Sequence, residues 1–233
     1  MQNITHEEQK EIWEEEHKHP TVLLQMDAEK ASRGVIKFWE FLKEKNISNL
    51  RGVEMGCGKG RSVIWLTQQG VDMYGFDFSQ SAIAEAQRRA SAANVPAHFV
   101  VHDATEPWPY DSNFFDFAID CFASTDIESP EGRAFAVQEF LRVLKPGGYL
   151  LAYLLSTDDE FHKEMLKKFP AEQKNAFYQV TGKFEKVFDQ EEIDEIYKDF
   201  TVVKSERIEK TTEFFGKTYG CKHFWLVLQK KKE

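Results

Sequence analysis

Short apolar segments alternate with segments of helical periodicity along most of this 233-residue chain. The apolar runs RGVEM, VDMYGFD and AHFVVHD are separated by two segments whose apolar residues recur at helical spacing, which predicts a β-α-β-α-β order. The alternation continues with FFDFAIDCF, a helix over about 132–144 that KPGG closes, and YLLAYLL. Strands that are apolar throughout and joined by helices are typical of a parallel sheet covered on both faces.

The two ends of the chain depart from this alternation. Helices are predicted over about 7–18 and 28–45, ahead of the first strand. Towards the other end, an amphipathic helix in DQEEIDEIYKDF precedes TVVKSERIEKT and CKHFWLVLQK, two strand-like runs with no helix between them. The predicted fold is therefore α/β, a doubly wound, mostly parallel seven-stranded sheet with a C-terminal antiparallel strand pair and N-terminal cap helices.

The chain shows no internal repeat and no Pro/Gly/Ser-rich linker, so we expect one domain over residues 1–233. Lys and Arg number 30 against 39 Asp and Glu, and the net charge of −9 disfavours binding to the phosphate backbone of nucleic acid. The charged N-terminal stretch MQNITHEEQKEIWEEEHKHP is unlike a signal peptide, and no apolar run approaches the roughly 20 residues of a membrane span. We expect a cytoplasmic protein with no nucleic-acid or membrane partner, as a monomer or homodimer.

The three cysteines, Cys57, Cys121 and Cys221, are scattered along the chain without a CxxC pair. Neither a disulfide framework nor a zinc knuckle is indicated, and a reducing compartment fits best. His17 and His19 are two residues apart, which places them on different faces of a helix. No metal site is predicted.

The stretch VEMGCGKGR follows the first predicted strand and places Gly56, Gly58 and Gly60 at alternate positions. In a doubly wound sheet, ligands bind beyond the carboxyl ends of the strands, where the strand order reverses. Glycine permits a tight turn and a close approach to a ligand, and the helix that follows offers free N–H groups. A turn that serves only helix–strand packing is the alternative. A nicotinamide fingerprint would need glycine at position 61, where the chain has Arg61.

From about residue 30 to 155 the chain resembles the class I S-adenosylmethionine-dependent methyltransferases. VEMGCGKGR is similar to their acidic-x-G-x-G-x-G motif, and YGFDFS, VVHDAT, FDFAIDCF and LRVLKPGGYLLAY are similar to the later motifs in the same order. The terminal strand pair also matches. The resemblance implies S-adenosyl-L-methionine as the cofactor, with cap helices in 1–45, a cofactor-binding core in 46–155 and an acceptor-side segment and strand pair in 156–233.

The resemblance also implies residue roles. Asp77 would accept hydrogen bonds from both ribose hydroxyls, Asp103 would accept from the adenine amine, and the backbone amide of Ala104 would donate. A diol also matches the two oxygens of one carboxylate on chemical grounds, whereas an N-cap role for Asp77 is less expected because Ser79 can serve there. The predicted cofactor-binding residues are Glu54, Gly56, Cys57, Gly58, Gly60, Asp77, Phe78, Asp103, Ala104 and Asp120.

Glu54 ends a buried strand, where an unpaired carboxylate is costly. A cationic partner is expected, such as the amino group of the methionine moiety, and a local salt bridge is the alternative. Cys57 is expected to fit sterically between the glycines rather than to react.

Methyl transfer from a sulfonium is an in-line displacement that needs alignment and exclusion of water, and a general base only when the nucleophile arrives protonated. No catalytic residue is therefore assigned. Ring faces attract cations, and N-terminal and C-terminal segments are expected to border the acceptor. The candidates are Trp13, His17, Phe122, Tyr153, Tyr219 and His223, for which core aromatic residues and surface histidines are the alternative.

Motifs that the chain lacks narrow the range of possible methyl acceptors. Relatives that methylate amines of DNA bases or glutamine carry an Asn/Asp-Pro-Pro-aromatic motif after the fourth strand, whereas this chain reads Asp120-Cys121-Phe122-Ala123. Neither Cys57 nor Cys121 follows a proline, as a catalytic cysteine of the RNA cytosine enzymes would. A small-molecule acceptor is favoured, methylated at oxygen, nitrogen, sulfur or a metalloid or halide centre. The alternative function is a noncatalytic sensor or scaffold that binds the adenosyl ligand on the same fold.

Overall fold

The computed structural model describes residues 4–19, 30–45, 49–214 and 216–232. Its helices are α1 (His6–Lys18), α2 (Arg33–Glu44), α3 (Arg61–Gln68), α4 (Gln80–Ala92), α5 (Pro130–Val143), α6 (Glu160–Lys168) and α7 (Gln190–Ile196). Its strands are β1 (Arg51–Met55), β2 (Asp72–Asp77), β3 (His98–Val101), β4 (Phe115–Cys121), β5 (Leu144–Leu155), β6 (Ala176–Tyr178), β7 (Phe184–Lys186), β8 (Phe200–Phe214) and β9 (Lys217–Lys230). Of the helices in these ranges, none has the length and apolar character needed to cross a membrane.

Seven strands form one sheet in the order β3-β2-β1-β4-β5-β9-β8. The first five are parallel, and β9 runs antiparallel to both β5 and β8. This confirms the predicted doubly wound sheet with its terminal antiparallel pair. The short pair β6–β7 is separate from the sheet and was not predicted, because three-residue strands carry too little alternation to be recognised.

Helices cover both faces of the sheet, because alternate residues of each central strand point to opposite sides. In β4, Ala118 packs with a cluster that includes Phe140 of α5, whereas its neighbour Ile119 packs with a cluster that includes Phe38 of α2. Strand β1 is paired on both sides, with β2 and with β4, and Val53 is fully buried. The residues at the strand ends therefore stand on a strand that is buried and paired on both sides.

The element boundaries follow local capping. The helix predicted over 28–45 begins at Arg33, because the side chain of Ser32 accepts a hydrogen bond from the Val35 amide and caps the helix there, and position 28 lies outside the described residues. The KPGG segment lies within β5 rather than in a turn before it. The predicted strand CKHFWLVLQK is longer in the structure, where β9 begins at Lys217 and includes Tyr219, because backbone pairing with β8 extends the hairpin beyond the apolar segment.

Candidate active site

The strand order reverses between β1 and β4, and the carboxyl ends of β1, β2 and β4 lie next to one another. Each of these ends carries an acidic side chain: Glu54 in β1, Asp77 in β2 and Asp120 in β4. All three are buried. The sheet topology therefore collects three carboxyl groups at the switch point, where doubly wound folds bind their ligands.

The three glycines after β1 all adopt positive φ angles, 61° at Gly56, 51° at Gly58 and 76° at Gly60. A Cβ atom at Gly56 would lie 2.5 Å from the Cβ of Ala123, and one at Gly60 would lie 2.8 Å from the ring of Phe99. Packing therefore requires glycine at the first and third positions. At Gly58 the nearest contact of a Cβ atom would be the ring of His17, at 3.4 Å. The middle glycine thus faces the crevice and not the core.

Asp77 organises the loop through both of its carboxylate oxygens. Oδ2 accepts from the Gly58 amide at 2.9 Å, and Oδ1 accepts from the Ser79 amide at 2.9 Å. Burial raises the pKa of Asp77, and His17 and the two amide donors oppose that rise. Ser79 caps α4 through its own hydroxyl, as predicted, so Asp77 is not the N-cap. Its oxygens keep lone pairs that a ligand hydroxyl could use.

Glu54 and Asp120 each hold a buried carboxyl oxygen with no hydrogen-bond partner among the described residues. Burial raises the pKa of Glu54 to about 8, although Ser62 and Arg61 oppose the rise. Burial likewise raises the pKa of Asp120 to about 6, against the donation from Ser124. A buried oxygen without a donor is costly, so Glu54 favours a ligand that brings a donor or a cation, whereas Asp120 also interacts with the side chains of Ser124 and Tyr197.

Asp103 follows β3 and accepts from the Thr105 amide at 2.9 Å and from the Thr105 hydroxyl at 2.8 Å. Its other oxygen lies 2.7 Å from Nε2 of His6, whose Nδ1 lies 2.5 Å from Glu128. Burial opposes these donors, yet together they hold the pKa of Asp103 below its ordinary value. Next to it, the carbonyl of Ala104 accepts from the indole of Trp108.

Helix α1 lies across this crevice, from Asp103 at one end to the glycine loop at the other. Besides the contact of His6 with Asp103, the carboxylate of Glu14 accepts from the Ser79 hydroxyl at 2.6 Å. Further along α1, Nε1 of Trp13 and Nδ1 of His17 are buried and lack a hydrogen-bond partner in the described part of the chain. Helix α1 therefore packs over Asp103 and the glycine loop and carries two buried polar atoms without a described partner.

Three of the predicted acceptor residues meet on the far side of the crevice. Phe122, directly after β4, has its ring centroid 4.4 Å from that of Tyr153 and 5.1 Å from that of His223. The Tyr153 hydroxyl lies 3.4 Å from Nδ1 of His223. Burial and the nearby Lys210 lower the pKa of His223 to about 4, so its imidazole is neutral at pH 7.

The remaining predicted residues lie in different surroundings. Tyr219 donates from its hydroxyl to Glu164 of α6 at 3.2 Å, away from the Phe122 cluster. Phe78 is half-buried between β2 and α4. Cys57 is buried, with its amide donating to the Phe76 carbonyl, and burial raises the pKa of its thiol well above the ordinary value, which suppresses the reactive thiolate.

One buried lysine beside the crevice was missed by sequence reasoning. Lys183 is fully buried, with Nζ 4.8 Å from the ring centroid of Trp13 and 3.2 Å from a carboxylate oxygen of Glu16. Nζ makes no hydrogen bond of good geometry to any described residue. The residue lies in the charged stretch TGKFEK, which in the sequence is typical of solvated surface. Only the fold shows that α1 and the segment before β7 enclose it.

Comparison with known proteins matches residues 53–148 to the family described as methyltransferase domain. A demethylmenaquinone methyltransferase of Clavibacter sepedonicus is 30% identical over 129 residues, which cover 54% of this chain and 51% of that protein. The chain thus spans about half the length of the curated relatives it matches.

Solved structures show the same fold over a larger share of the chain. A S-adenosylmethionine-dependent methyltransferase of Methanosarcina mazei aligns with a TM-score of 0.72 at 22% identity, over 83% of this chain and 98% of that one. The 1,6-didemethyltoxoflavin-N1-methyltransferase of Burkholderia thailandensis, solved with its substrate and S-adenosylhomocysteine, aligns with a TM-score of 0.70 at 14% identity, over 100% and 93%. Residues 53–148 are therefore similar to the methyltransferase domain family, and the chain has the class I fold of the S-adenosylmethionine-dependent methyltransferases.

Proposed function

We propose that this protein transfers the methyl group of S-adenosyl-L-methionine to a small-molecule acceptor. The observation that carries the proposal is the unpartnered, buried oxygen of Glu54 beside a glycine whose missing side chain opens the crevice. A cationic amino group next to a carboxylate would satisfy that oxygen, and Gly58 leaves the backbone accessible to a thin polar ligand. The residues present thus fit the methionine end of the cofactor.

The other cofactor contacts follow the order of the strands. Asp77 would accept from the ribose hydroxyls, and Asp103 and Ala104 would bind the adenine. Helix α3 begins after Gly60 without a side-chain cap hydrogen bond, and a helix N-terminus of this kind favours an anionic group such as the carboxylate of the methionine moiety. The bound cofactor supplies an electrophilic methyl group on a sulfonium. The protein's own contribution is to hold that group in line with the acceptor and to exclude water.

Helix α1 and the segment over 156–233 would enclose the acceptor, while 46–155 binds the cofactor. Phe122 and Tyr153 offer ring faces beside the proposed methyl position, and the neutral imidazole of His223 can accept a proton or a hydrogen bond. The small acceptors in the names of the Clavibacter and Burkholderia relatives support an acceptor of this size. The accepting atom is oxygen, nitrogen, sulfur or a metalloid or halide centre.

The three unpaired cysteines and the acidic net charge support a cytoplasmic protein that acts without nucleic acid, as a monomer or homodimer. The three ranges 1–45, 46–155 and 156–233 would then be parts of one catalytic domain.

A label-transfer experiment tests the proposal. Purified protein is incubated with methyl-labelled S-adenosylmethionine and a panel of small quinols, thiols, amines and oxyanions, and calorimetry compares binding of S-adenosylhomocysteine with that of NAD. We expect transfer of label to at least one acceptor and tighter binding of the adenosyl ligand. Retention of label without transfer would favour a noncatalytic binder, and equal binding of NAD would refute the cofactor assignment.

A further inference from the structure

A mixed group of buried ligand-type side chains lies between β9 and the start of α6. Among the residues that the structure describes, Asp159, Cys221 and His223 place a carboxylate oxygen, a thiol sulfur and an imidazole nitrogen within 4.8 Å of one another. Cys221 and His223 are two residues apart in β9, so their side chains share one face of the strand. Asp159 approaches this face as the N-cap of α6.

The spacing of these atoms is close to that of a coordination sphere. Nε2 of His223 lies 3.7 Å from Oδ2 of Asp159. Ligand atoms bound to one tetrahedral zinc ion at about 2.0–2.3 Å are about 3.3–3.7 Å apart. The His223 and Asp159 atoms already have this spacing, and all three atoms lie within 4.8 Å of one another, so binding of one ion would need them to draw together by about 1 Å or less.

The surroundings orient two of the ligands. The Tyr153 hydroxyl lies 3.4 Å from Nδ1 of His223, which directs Nε2 towards Asp159. Oδ1 of Asp159 lies 2.9 Å from Nδ1 of His162 and accepts from the His162 amide, while Oδ2 accepts from the Lys222 amide. Tyr153 and His162 thus contact the non-coordinating atoms of His223 and Asp159, as is typical of protein metal sites, whereas Lys222 donates to the oxygen that faces His223.

We propose that Asp159, Cys221 and His223 bind a divalent transition-metal ion, and that Zn²⁺ is the ion best matched to them. Sulfur, imidazole and carboxylate donors together suit zinc, whereas calcium and magnesium prefer oxygen alone. The carboxylate and the thiolate balance the charge of the ion, and the proton of Cys221 is released to solvent on binding. Three protein ligands leave a fourth position for water or another ligand. The site shares His223 with the Phe122 cluster, so a bound ion would occupy the Nε2 atom of His223, and metal binding is tested without reference to methyl transfer.

Cobalt substitution tests the site directly on the full-length protein, with any purification tag removed. We expect one Co²⁺ per chain, a thiolate-to-cobalt charge-transfer band, the visible bands of a tetrahedral ion, and displacement of both by Zn²⁺. Calorimetry of Zn²⁺ in two buffers of different ionisation enthalpy should show proton release. A cobalt spectrum without the charge-transfer band, or no saturable binding, would overturn the proposal.

Cysteine variants locate the ion. Cys221→Ser should abolish the charge-transfer band and weaken zinc binding by about 100-fold or more, because it removes a ligand rather than an outer-sphere partner. Cys121→Ser is the matched control, since Cys121 contacts Ser32 and lies outside the group. Loss of the band in the control but not in Cys221→Ser would place the ion elsewhere and refute the site. If Cys221→Ser does not fold, Asp159→Asn, which keeps a capping side chain, must weaken binding similarly.

Discussion

The cofactor side and the acceptor side of the crevice are built in different ways. On the cofactor side, Glu54, Asp77 and Asp103 each lie at or directly after the end of a strand, and one local turn positions each of them. On the acceptor side, His223 lies in a late strand, Lys183 precedes β7, and both are brought to the crevice by distant parts of the chain. The comparison teaches that the proposed cofactor contacts come from contiguous motifs, whereas the proposed acceptor contacts come from residues that only the fold assembles.

The charges of the two sides also differ. The cofactor side is rich in buried carboxyl groups, whose pKa values are raised by burial at Glu54, Asp77 and Asp120. The acceptor side contains the buried Lys183 and two histidines whose pKa values shift in opposite directions. Burial lowers the pKa of His223 to about 4, whereas Asp159 and Glu185 overcome burial and raise that of His162 to about 9. A cationic ligand end therefore suits the first side, and an acceptor with polar groups suits the second.

The largest effect is expected at the centre of the cofactor side. Gly58→Val should weaken binding of S-adenosylhomocysteine by more than about 100-fold, because a branched side chain would fill the crevice beside His17. Gly70→Val is the control, since Gly70 also has a positive φ but no heavy atom lies within 4 Å of the added Cβ. Both variants should lose about 1–3 kcal/mol of stability from backbone strain.

Melting curves and calorimetry of the two glycine variants distinguish a steric block of the ligand site from a loss of stability caused by backbone strain. If the folded fraction of Gly58→Val binds the ligand as tightly as Gly70→Val does, the loop serves packing alone.

A somewhat smaller effect is expected at the end of β2. Asp77→Ala should weaken cofactor binding by about 10- to 300-fold, because it removes a charged acceptor for two ribose hydroxyls. Asp72→Ala, at the other end of the same strand, removes a contact with Arg51 at the surface and should leave the affinity unchanged. An unchanged affinity in Asp77→Ala would mean that the ribose binds elsewhere.

On the acceptor side, Lys183→Met should lower kcat/KM for the acceptor found in the label-transfer screen by about tenfold or more, or about 1.4 kcal/mol. Its buried amino group has an unsatisfied donor beside Trp13. The affinity for S-adenosylhomocysteine should stay within about twofold. In the control Lys186→Met, the removed amino group bonds Glu192 and two carbonyls, so stability should fall while kcat/KM of the folded enzyme is kept. Equal kcat/KM in both variants would show that Lys183 does not act in the acceptor site.

Glu54→Gln should change cofactor affinity and the pH dependence of stability in different ways. A buried carboxyl group whose pKa rises from 4.5 to about 8 stabilises the folded state below about pH 4.5 and loses that contribution as the pH rises towards 8. Glutamine does not titrate, so the melting temperature of the variant relative to wild type should increase between pH 5 and about 8. Cofactor binding at about pH 8 should fall by about tenfold, because the cationic end loses its carboxylate. A constant difference in melting temperature across this range would contradict the burial argument.

The smallest change, in the rate of cofactor association, is expected for a substitution in helix α1. His6→Ala should speed cofactor association a few-fold, because Asp103 then need not exchange its imidazole partner for the adenine amine. The gain should shrink as the pH rises past the pKa of His6, which its hydrogen bonds to Asp103 and Glu128 raise despite opposing burial. His19→Ala, at the exposed far end of α1, is the control for stopped-flow measurements. A slower association in His6→Ala would show that α1 helps to bind the ligand rather than to cover the site.

The sequence predicted the parallel sheet, the antiparallel strand pair and the position of the glycine loop, because these depend on periodicity and on turns of a few residues. The sequence also brought Phe122, Tyr153 and His223 into one hypothesis, and the structure places them together. The pair β6–β7 was missed, and Tyr219, a predicted acceptor residue, contacts Glu164 of α6. Short strands carry little pattern, and the polar part of β9 before its apolar segment carries no alternation that marks it as strand.

The sequence by itself determined the order of strands and helices and the acidic groups at the strand ends, because strand burial, capping and glycine conformation act over neighbouring residues. Only the tertiary structure decided what faces those groups. It placed α1 across the crevice, buried Lys183 in a stretch that is charged in sequence, and brought Asp159 to the face of β9 that carries Cys221 and His223. Such contacts join segments tens of residues apart, and they form only when burial of the shared core fixes the packing of the elements that carry them.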